Sequence, residues 1–303
     1  MITKTKKIII GSRKSPLAQA QVEIFLKELE KKELRKKIIF EKKFFTTTGD
    51  KFLNTKISEI GNKGLFTKEI DEAQLSSQID VSIHSLKDLP TTLPKGLEIS
   101  AVLPRGDPAD IAITKENQSF FELKNGQVVG TSSIRRKIQL QRIKPDLIYK
   151  DVRGNVETRI SKLKNDGYDA IVLANAGFMR LRLKHNIEKF DLNEIVPAVG
   201  QGVIAVVTKK NENINELITM VNDPKTWVEC DCERIFLNAL DGSCKTPIGA
   251  YAKITNKDPT KILFRFMASS YNGNKFIKDE TYFHIERYHQ QSMDLGKKIK
   301  EKI

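Results

Sequence analysis

Four short segments share one chemical design. Gly11-Ser12-Arg13-Lys14-Ser15, His84-Ser85-Leu86-Lys87-Asp88, Gly130-Thr131-Ser132-Ser133-Ile134-Arg135-Arg136 and Asp151-Val152-Arg153-Gly154-Asn155 each set a basic side chain among serine, threonine or glycine residues. A guanidinium grips a carboxylate with a bidentate fork, and hydroxyl groups add further donors. One such segment alone is an ordinary helix cap beside a solvated cation. Four of them describe a site for acidic groups. Arg159, six residues beyond Arg153, and Arg180, after Ala174-Asn175-Ala176-Gly177, extend the set, although each by itself also reads as a surface helix arginine. Asp88 reads as an ion-pair partner of Lys87 at a strand end. Cys244, in Gly242-Ser243-Cys244-Lys245-Thr246-Pro247, reads as a loop thiol of open purpose.

Other chemistries lack their residues. No G-x-x-x-x-G-K-[ST] occurs, and no G-x-G-x-x-G follows a strand, so a nucleotide site is not indicated. The four histidines, His84, His185, His284 and His289, form no H-x-x-x-H pair. Cys230 and Cys232, two apart on a helix, point to different faces and read as core or surface thiols. No metal site is expected.

The elements that must hold these segments alternate. Lys7 to Ile10 is a strand that stops at Gly11. Ser15 caps a helix with Pro16 in its first turn. Ile38–Phe45 is a strand, and Thr46–Lys63 a polar, mobile loop. Thr67–Leu75 is a helix, and Asp80–Ile83 and Leu97–Leu103 are strands. The alternation restarts with strands at Val128–Val129, Leu147–Val152 and Asp169–Leu173. Helices follow them at Ser132–Ile143, Asn155–Lys164 and Ala176–Leu183. Such alternation predicts a mostly parallel sheet with helices on both faces, whose ligands bind beyond the carboxyl ends of the strands. Pro197–Gly202 is a hinge-like break before the strand Val203–Val207. From Trp227 the order becomes helix, strands at Ile248–Ile254, Ile262–Met267 and Phe276–Phe283, and a last helix, which is a small α+β domain.

The chain has 303 residues, and single cores stop growing at roughly 250–300, so more than one domain is expected. Hydrophobic residues at 39% and charged residues at 30% supply real cores and exclude a wholly disordered chain. No apolar run approaches the ~20 residues of a membrane span, and Ile8-Ile9-Ile10 is too short for a signal-peptide core. Three cysteines argue against a disulfide framework. A soluble protein of a reducing compartment is expected. The 52 Lys+Arg against 38 Asp+Glu give a net charge of +14, which suits nucleic acid, an anionic membrane, acidic small molecules or plain solubility. Arginine concentrated in Gly/Ser-rich segments favours acidic small molecules.

Seven stretches now make a larger pattern. They are Gly11–Ala18 (GSRKSPLA), Gly64-Leu65-Phe66-Thr67-Lys68-Glu69, Val81–Pro90 (VSIHSLKDLP), Val129–Arg136 (VGTSSIRR), Arg153–Arg159 (RGNVETR), Pro197–Gly202 (PAVGQG) and Gly242–Ala250 (GSCKTPIGA). In motifs, order and spacing the chain resembles the porphobilinogen deaminase (hydroxymethylbilane synthase) family over nearly its whole length. The resemblance implies an α/β fold of two periplasmic-binding-protein-like domains with hinge segments, plus the small C-terminal α+β domain. The domains would be residues 1–103 with 200–221, 104–199, and 222–303. It implies a cytoplasmic, monomeric transferase of haem biosynthesis, binding neither nucleic acid nor membrane. Such an enzyme joins four porphobilinogen units into hydroxymethylbilane and releases four ammonia molecules.

The resemblance also assigns residues. It makes Cys244 the thioether anchor of a dipyrromethane cofactor and Asp88 the catalytic carboxylate. Arg13, Arg135, Arg136, Arg153, Arg159 and Arg180 would hold acetate and propionate groups. Ser85, Lys87, Thr131, Ser132, Ser133 and Gly154 would add contacts, with Lys63 and Phe66 near the substrate pocket and Asp50 in a lid. The chain departs from the family pattern at Ser243 and Lys245, beside the cofactor cysteine, and at Asn175. Residues 205–230 match loosely. Two rivals remain: a bilobed anion-binding protein, which would need neither the cysteine nor a buried acid, and a nucleic-acid binder, which would carry aromatics among its basic residues.

Overall fold

The computed structural model describes residues 6–33, 38–51, 66–242 and 246–303. Lys63, Ser243, Cys244 and Lys245 lie outside the described residues. The chain forms two compact units, Met1–Arg105 with Val203–Trp227, and Gly106–Gly202 with Val228–Ile303.

The first unit contains β1 (Lys6–Arg13), α1 (Pro16–Lys31), β2 (Ile38–Phe45), α2 (Thr48–Lys51), α3 (Lys68–Leu75), β3 (Val81–Ser85) and β4 (Leu97–Val102). In the second, β5 (Asp110–Thr114) is followed by β6 (Val128–Gly130), α4 (Ile134–Ile143), β7 (Ile148–Lys150), α5 (Val156–Asn165), β8 (Ala170–Ala174), α6 (Asn175–Arg180) and β9 (Glu188–Lys189). The chain re-enters the first unit with β10 (Ile204–Lys209) and α7 (Ile214–Thr219). It then continues through α8 (Pro224–Ala239), β11 (Ile248–Ile254), β12 (Lys261–Ser269), β13 (Phe276–His284) and α9 (Tyr288–Lys300).

The two main sheets share one topology. Their orders are β2-β1-β3-β10-β4 and β7-β6-β8-β5-β9. In each, the first three strands are parallel, and the strand entered after the chain changes unit runs against its neighbours on both sides. That repeated order is the architecture of two binding-protein-like domains. Alternating side chains cover both faces of each sheet, as the two-residue period of a strand requires. Ile8 and Ile10 pack with Phe25 and Leu29 of α1, while Ile9 packs with Ile70 and Ala73 of α3. In the second unit Ala112 and Val172 pack with Leu140 of α4, and Ile111, Ile113 and Leu173 with Ile160 of α5.

The C-terminal sheet β11-β12-β13 is antiparallel. Its core joins Phe236 of α8 to Phe264, Phe266 and Phe283, with the Phe236 and Phe264 rings edge-on at 5.2 Å between centroids. The Pro197–Gly202 segment docks on this sheet. Ala250 N donates to Pro197 O at 3.1 Å, and the buried Glu233 carboxylate accepts from Gly200 N at 2.7 Å and Ala252 N at 2.9 Å.

Three expectations change. β1 does not stop at Gly11 but pairs with β2 as far as Arg13↔Phe45. β5, with its five residues all buried, is an added element between Leu103 and Val128, where the sequence reading assigns no strand. The polar stretch after Thr46 opens with a helical turn, α2, and its remainder to Lys63 lies outside the described residues.

Candidate active site

In the first unit, β1 and β3 run side by side, and their carboxyl ends present Arg13 and Ser85. Ser12 Oγ donates to Ile83 O at 3.1 Å and ties the two ends together. A cavity of about 40 Å³ opens there, lined by Arg13, Gln21, Phe66, His84, Ser85 and Asp88 among others. Gln21 Nε2 donates to Ser85 Oγ at 2.7 Å. Asp88 closes a 3₁₀ turn whose Leu86 side chain is buried and whose Leu86 N donates to Val203 O at 3.0 Å. The turn is anchored, yet no hydrogen bond or ion pair holds the Asp88 carboxylate among the described residues. Lys87 is the middle residue of the same turn. His84 is buried with Nε2 unpartnered. Burial, and then the Arg13 charge, push its imidazole down to about 4, so it is neutral at pH 7.

The second unit gathers the remaining predicted residues at the ends of β6 and β7. Ser133 caps α4 by accepting from Arg136 N at 3.4 Å, and Ser132 Oγ donates to Val152 O at 2.8 Å. Thr131 Oγ1 accepts from Ser133 N at 3.3 Å. These hydroxyls shape the turn itself. Gly154 has φ +114°, a conformation that suits glycine. Its carbonyl accepts from Arg159 Nε at 2.8 Å. Arg153 is partly exposed beside it.

Arg135 and Arg136 turn inward. Arg135 Nη1 meets Asp110 Oδ2 at 2.9 Å and Val196 O at 2.7 Å. Arg136 Nη2 meets Asp110 Oδ1 at 2.8 Å, and its Nη1 meets Val172 O at 3.1 Å. Gln201 Nε2 also donates to Asp110 Oδ1, at 2.8 Å. Burial raises the Asp110 pKa, but the two guanidiniums outweigh it and hold the carboxyl well below the usual range. Two cations thus share one carboxylate, and the Nε of each is buried without a partner. Arg180 donates to Gly202 O at 2.6 Å and has no carboxylate within ion-pair distance among the described residues. Burial pushes its guanidinium down to about 10, so it remains a cation at neutral pH.

A model of the porphobilinogen deaminase dipyrromethane cofactor-binding domain matches residues 8–216, and one of the porphobilinogen deaminase C-terminal domain matches residues 227–303. Porphobilinogen deaminases of Bacillus cereus and Bacillus anthracis are each 42% identical over 277 residues, covering 90% of this chain and 88% of theirs. The chain belongs to the porphobilinogen deaminase family. The second substrate-binding domain of Lactococcus lactis GlnP is 15% identical, with 78% of this chain and 91% of that one covered at a TM-score of 0.43. As a porphobilinogen deaminase family member the chain is a transferase, and residues 8–216 hold its dipyrromethane-binding domain.

Within this family member the predicted site residues form two sets. Arg13, Phe66, Ser85, Lys87 and Asp88 lie in the first unit, and the Ser/Thr turn, Gly154 and the other five arginines in the second. Lys63 and Cys244 lie outside the described residues. Gln21 and Asp110 lie outside the stretches singled out in the sequence, and His84 and Gln201 lie within them without an assigned role. His84 carries a sequence signal, a lone imidazole in the apolar run VSIHS, whereas Asp110 carries none because its strand is not evident. No helix among the described residues is long and apolar enough to cross a membrane, and no group of three His, Cys, Asp or Glu there could hold a metal.

Asp110 yields a stability prediction. Asp110→Asn leaves two buried guanidiniums without a counter-charge, and breaking a buried pair costs about 3–5 kcal/mol. A carboxyl with a depressed folded pKa contributes stability above its unfolded value near ~3.9 and loses it as pH falls. The urea midpoint should therefore drop sharply at pH 7, and the gap from wild type should narrow toward pH 3. Equal midpoints at pH 7 would show that the triad adds nothing.

Proposed function

We propose that this chain builds the linear tetrapyrrole hydroxymethylbilane from four porphobilinogen units, releasing one ammonia molecule for each unit added. The reading rests on its family membership and on one structural observation, the surplus of guanidiniums over carboxylates around Asp110. Arg135 and Arg136 share one carboxylate, Asp110, and Arg180 meets a backbone carbonyl, Gly202 O. A buried cation without a counter-charge is costly. Acetate and propionate groups on pyrrole rings are the counter-charge this proposal supplies, so the residues present fit a dipyrromethane and its extensions.

Asp88 performs the complementary task. Breaking the aminomethyl C–N bond releases ammonia and leaves positive charge spread over the substrate pyrrole. A carboxylate carried on an anchored turn, with no cation paired to it among the described residues, stabilises that charge as it appears. Arg13 holds a carboxylate of the same substrate beside it. Lys63, Phe66, Ser85, Lys87 and the Thr131–Ser133 turn complete the contacts, with Arg153, Gly154 and Arg159. When bound, a dipyrromethane supplies a free α-carbon for the incoming methylene group and is anchored as a thioether on Cys244. Residues 222–303 act as the domain that carries this cysteine. The protein works as a cytoplasmic monomer without nucleic-acid or membrane partners, and Lys spread over helix faces accounts for the rest of its charge. Intact mass of the purified protein tests the reading. A covalent adduct of dipyrromethane mass supports it, and a chain at its sequence mass returns the anion-binding alternative.

A further inference from the structure

Arg13 is held on two sides. Its Nε donates to Asp50 Oδ2 at 3.4 Å and its Nη2 to Asp50 Oδ1, so the carboxylate occupies the side-on edge of the guanidinium. Its guanidinium carbon lies 4.5 Å from the Phe66 ring centroid, so one face is covered as well. Asp50 is itself fixed. Its Oδ2 accepts from Thr47 N at 3.1 Å and Thr47 Oγ1 at 2.8 Å, and Thr47 is fully buried. Burial raises the Asp50 pKa, but the Arg13 hydrogen bond and charge and the Thr47 donors outweigh it, and the net shift is downward. The same turn presses on the ring beneath the arginine, since a Cβ at Gly49 would sit 2.2 Å from Phe66 Cε1.

A guanidinium has five N–H donors. Side-on pairing takes the Nε–H and one Nη2–H and leaves the end-on pair, from Nη1 and Nη2, for another carboxylate. An arginine on a free stem would lose rotamer freedom on binding, and one already clamped loses less. We infer that Asp50 is a positioning residue, which fixes Arg13 so that its end-on N–H pair meets a carboxylate of the substrate. This rests on the proposal that Arg13 holds that substrate.

The test uses cofactor-loaded enzyme with porphobilinogen, comparing Asp50→Asn, Gly49→Ala, Arg13→Gln and the Asp50→Asn/Arg13→Gln pair. Loss of orientation should raise KM about tenfold in Asp50→Asn, with a much smaller fall in kcat. Gly49→Ala should shift KM in the same direction by displacing Phe66, without removing a charge. The double variant should be no worse than Arg13→Gln alone, which a merely structural role for Asp50 would not produce. Asp50→Asn with an unchanged or lower KM, or with effects that add to those of Arg13→Gln, overturns the positioning role. Arg13→Gln with a wild-type KM overturns the underlying reading of Arg13 instead.

Discussion

Asp88→Asn should fold, carry its cofactor and turn over about 10²–10³-fold more slowly than wild type, the range seen when one preorganised electrostatic group is removed from a site. The fold is spared because the Asp88 carboxylate has no partner to lose among the described residues. The turn that carries it is fixed from below, by buried Leu86 and Leu89 and by the Leu86 N–H on Val203 O. Asparagine keeps the shape and removes only the charge. Nearby groups do not substitute. His84 is held neutral by burial and cannot balance a cation, and Asp50 is committed to Arg13. The loss should therefore appear in kcat, since the charge matters most after the C–N bond begins to break. Rapid-quench measurement of ammonia release on loaded enzyme checks this, with thermal melting and intact mass to establish fold and loading. Turnover equal to wild type would remove Asp88 from the mechanism, and a rise in KM alone would recast it as a binding group.

What the sequence discloses, and what it hides, follows from the range of the interactions. Local signals are legible. Ser15 reads as a helix cap and accepts from the Ala18 N–H, because a cap is decided within three residues, while Ser133 and Asn155, read as residues within their helices, prove to be caps that accept from Arg136 and Thr158 N–H groups. Strand ends are less so. Arg13 and His84 read as loop residues but stand on strands, since pairing with β2 in one case and β10 in the other prolongs them. Strand β5 is hidden for a related reason. Its five residues are buried on both faces, which erases the alternation that marks a strand, and Pro104 and Pro108 precede it. That omission hid Asp110, and with it the reason Arg135 and Arg136 turn inward. The pairing of Arg13 with Asp50 spans 37 residues and leaves no periodic trace. The arginines were found by type, but the acids that orient them required the fold.

Cys244→Ala should yield a folded chain with no pyrrole adduct and no turnover. Thioether formation joins the thiolate sulfur to the methylene carbon of an aminomethylpyrrole as ammonia leaves with the proton, so the sulfur must be reachable and able to ionise. The other two thiols fail that requirement. Cys230 and Cys232 are both buried. Cys232 is fully enclosed, and burial drives its pKa well above that of an exposed thiol despite a 3.1 Å contact with Ser292 Oγ. Cys244 is the third cysteine in a chain of three, so an adduct on the wild type that vanishes in Cys244→Ala and survives in Cys230→Ala/Cys232→Ala assigns the bond by elimination. The second unit should register the same loss without any assay of turnover. Arg180 and the Arg135–Arg136 pair would keep their buried excess charge uncompensated, and a protein deprived of a ligand that binds only its folded form is less stable. Cys244→Ala should therefore melt below wild type and approach it again when a soluble pyrrole carboxylate is added in excess. An adduct of unchanged mass on the Cys244→Ala protein would move the anchor elsewhere. A melting temperature equal to wild type, with the adduct absent, would separate the arginine cluster from the cofactor.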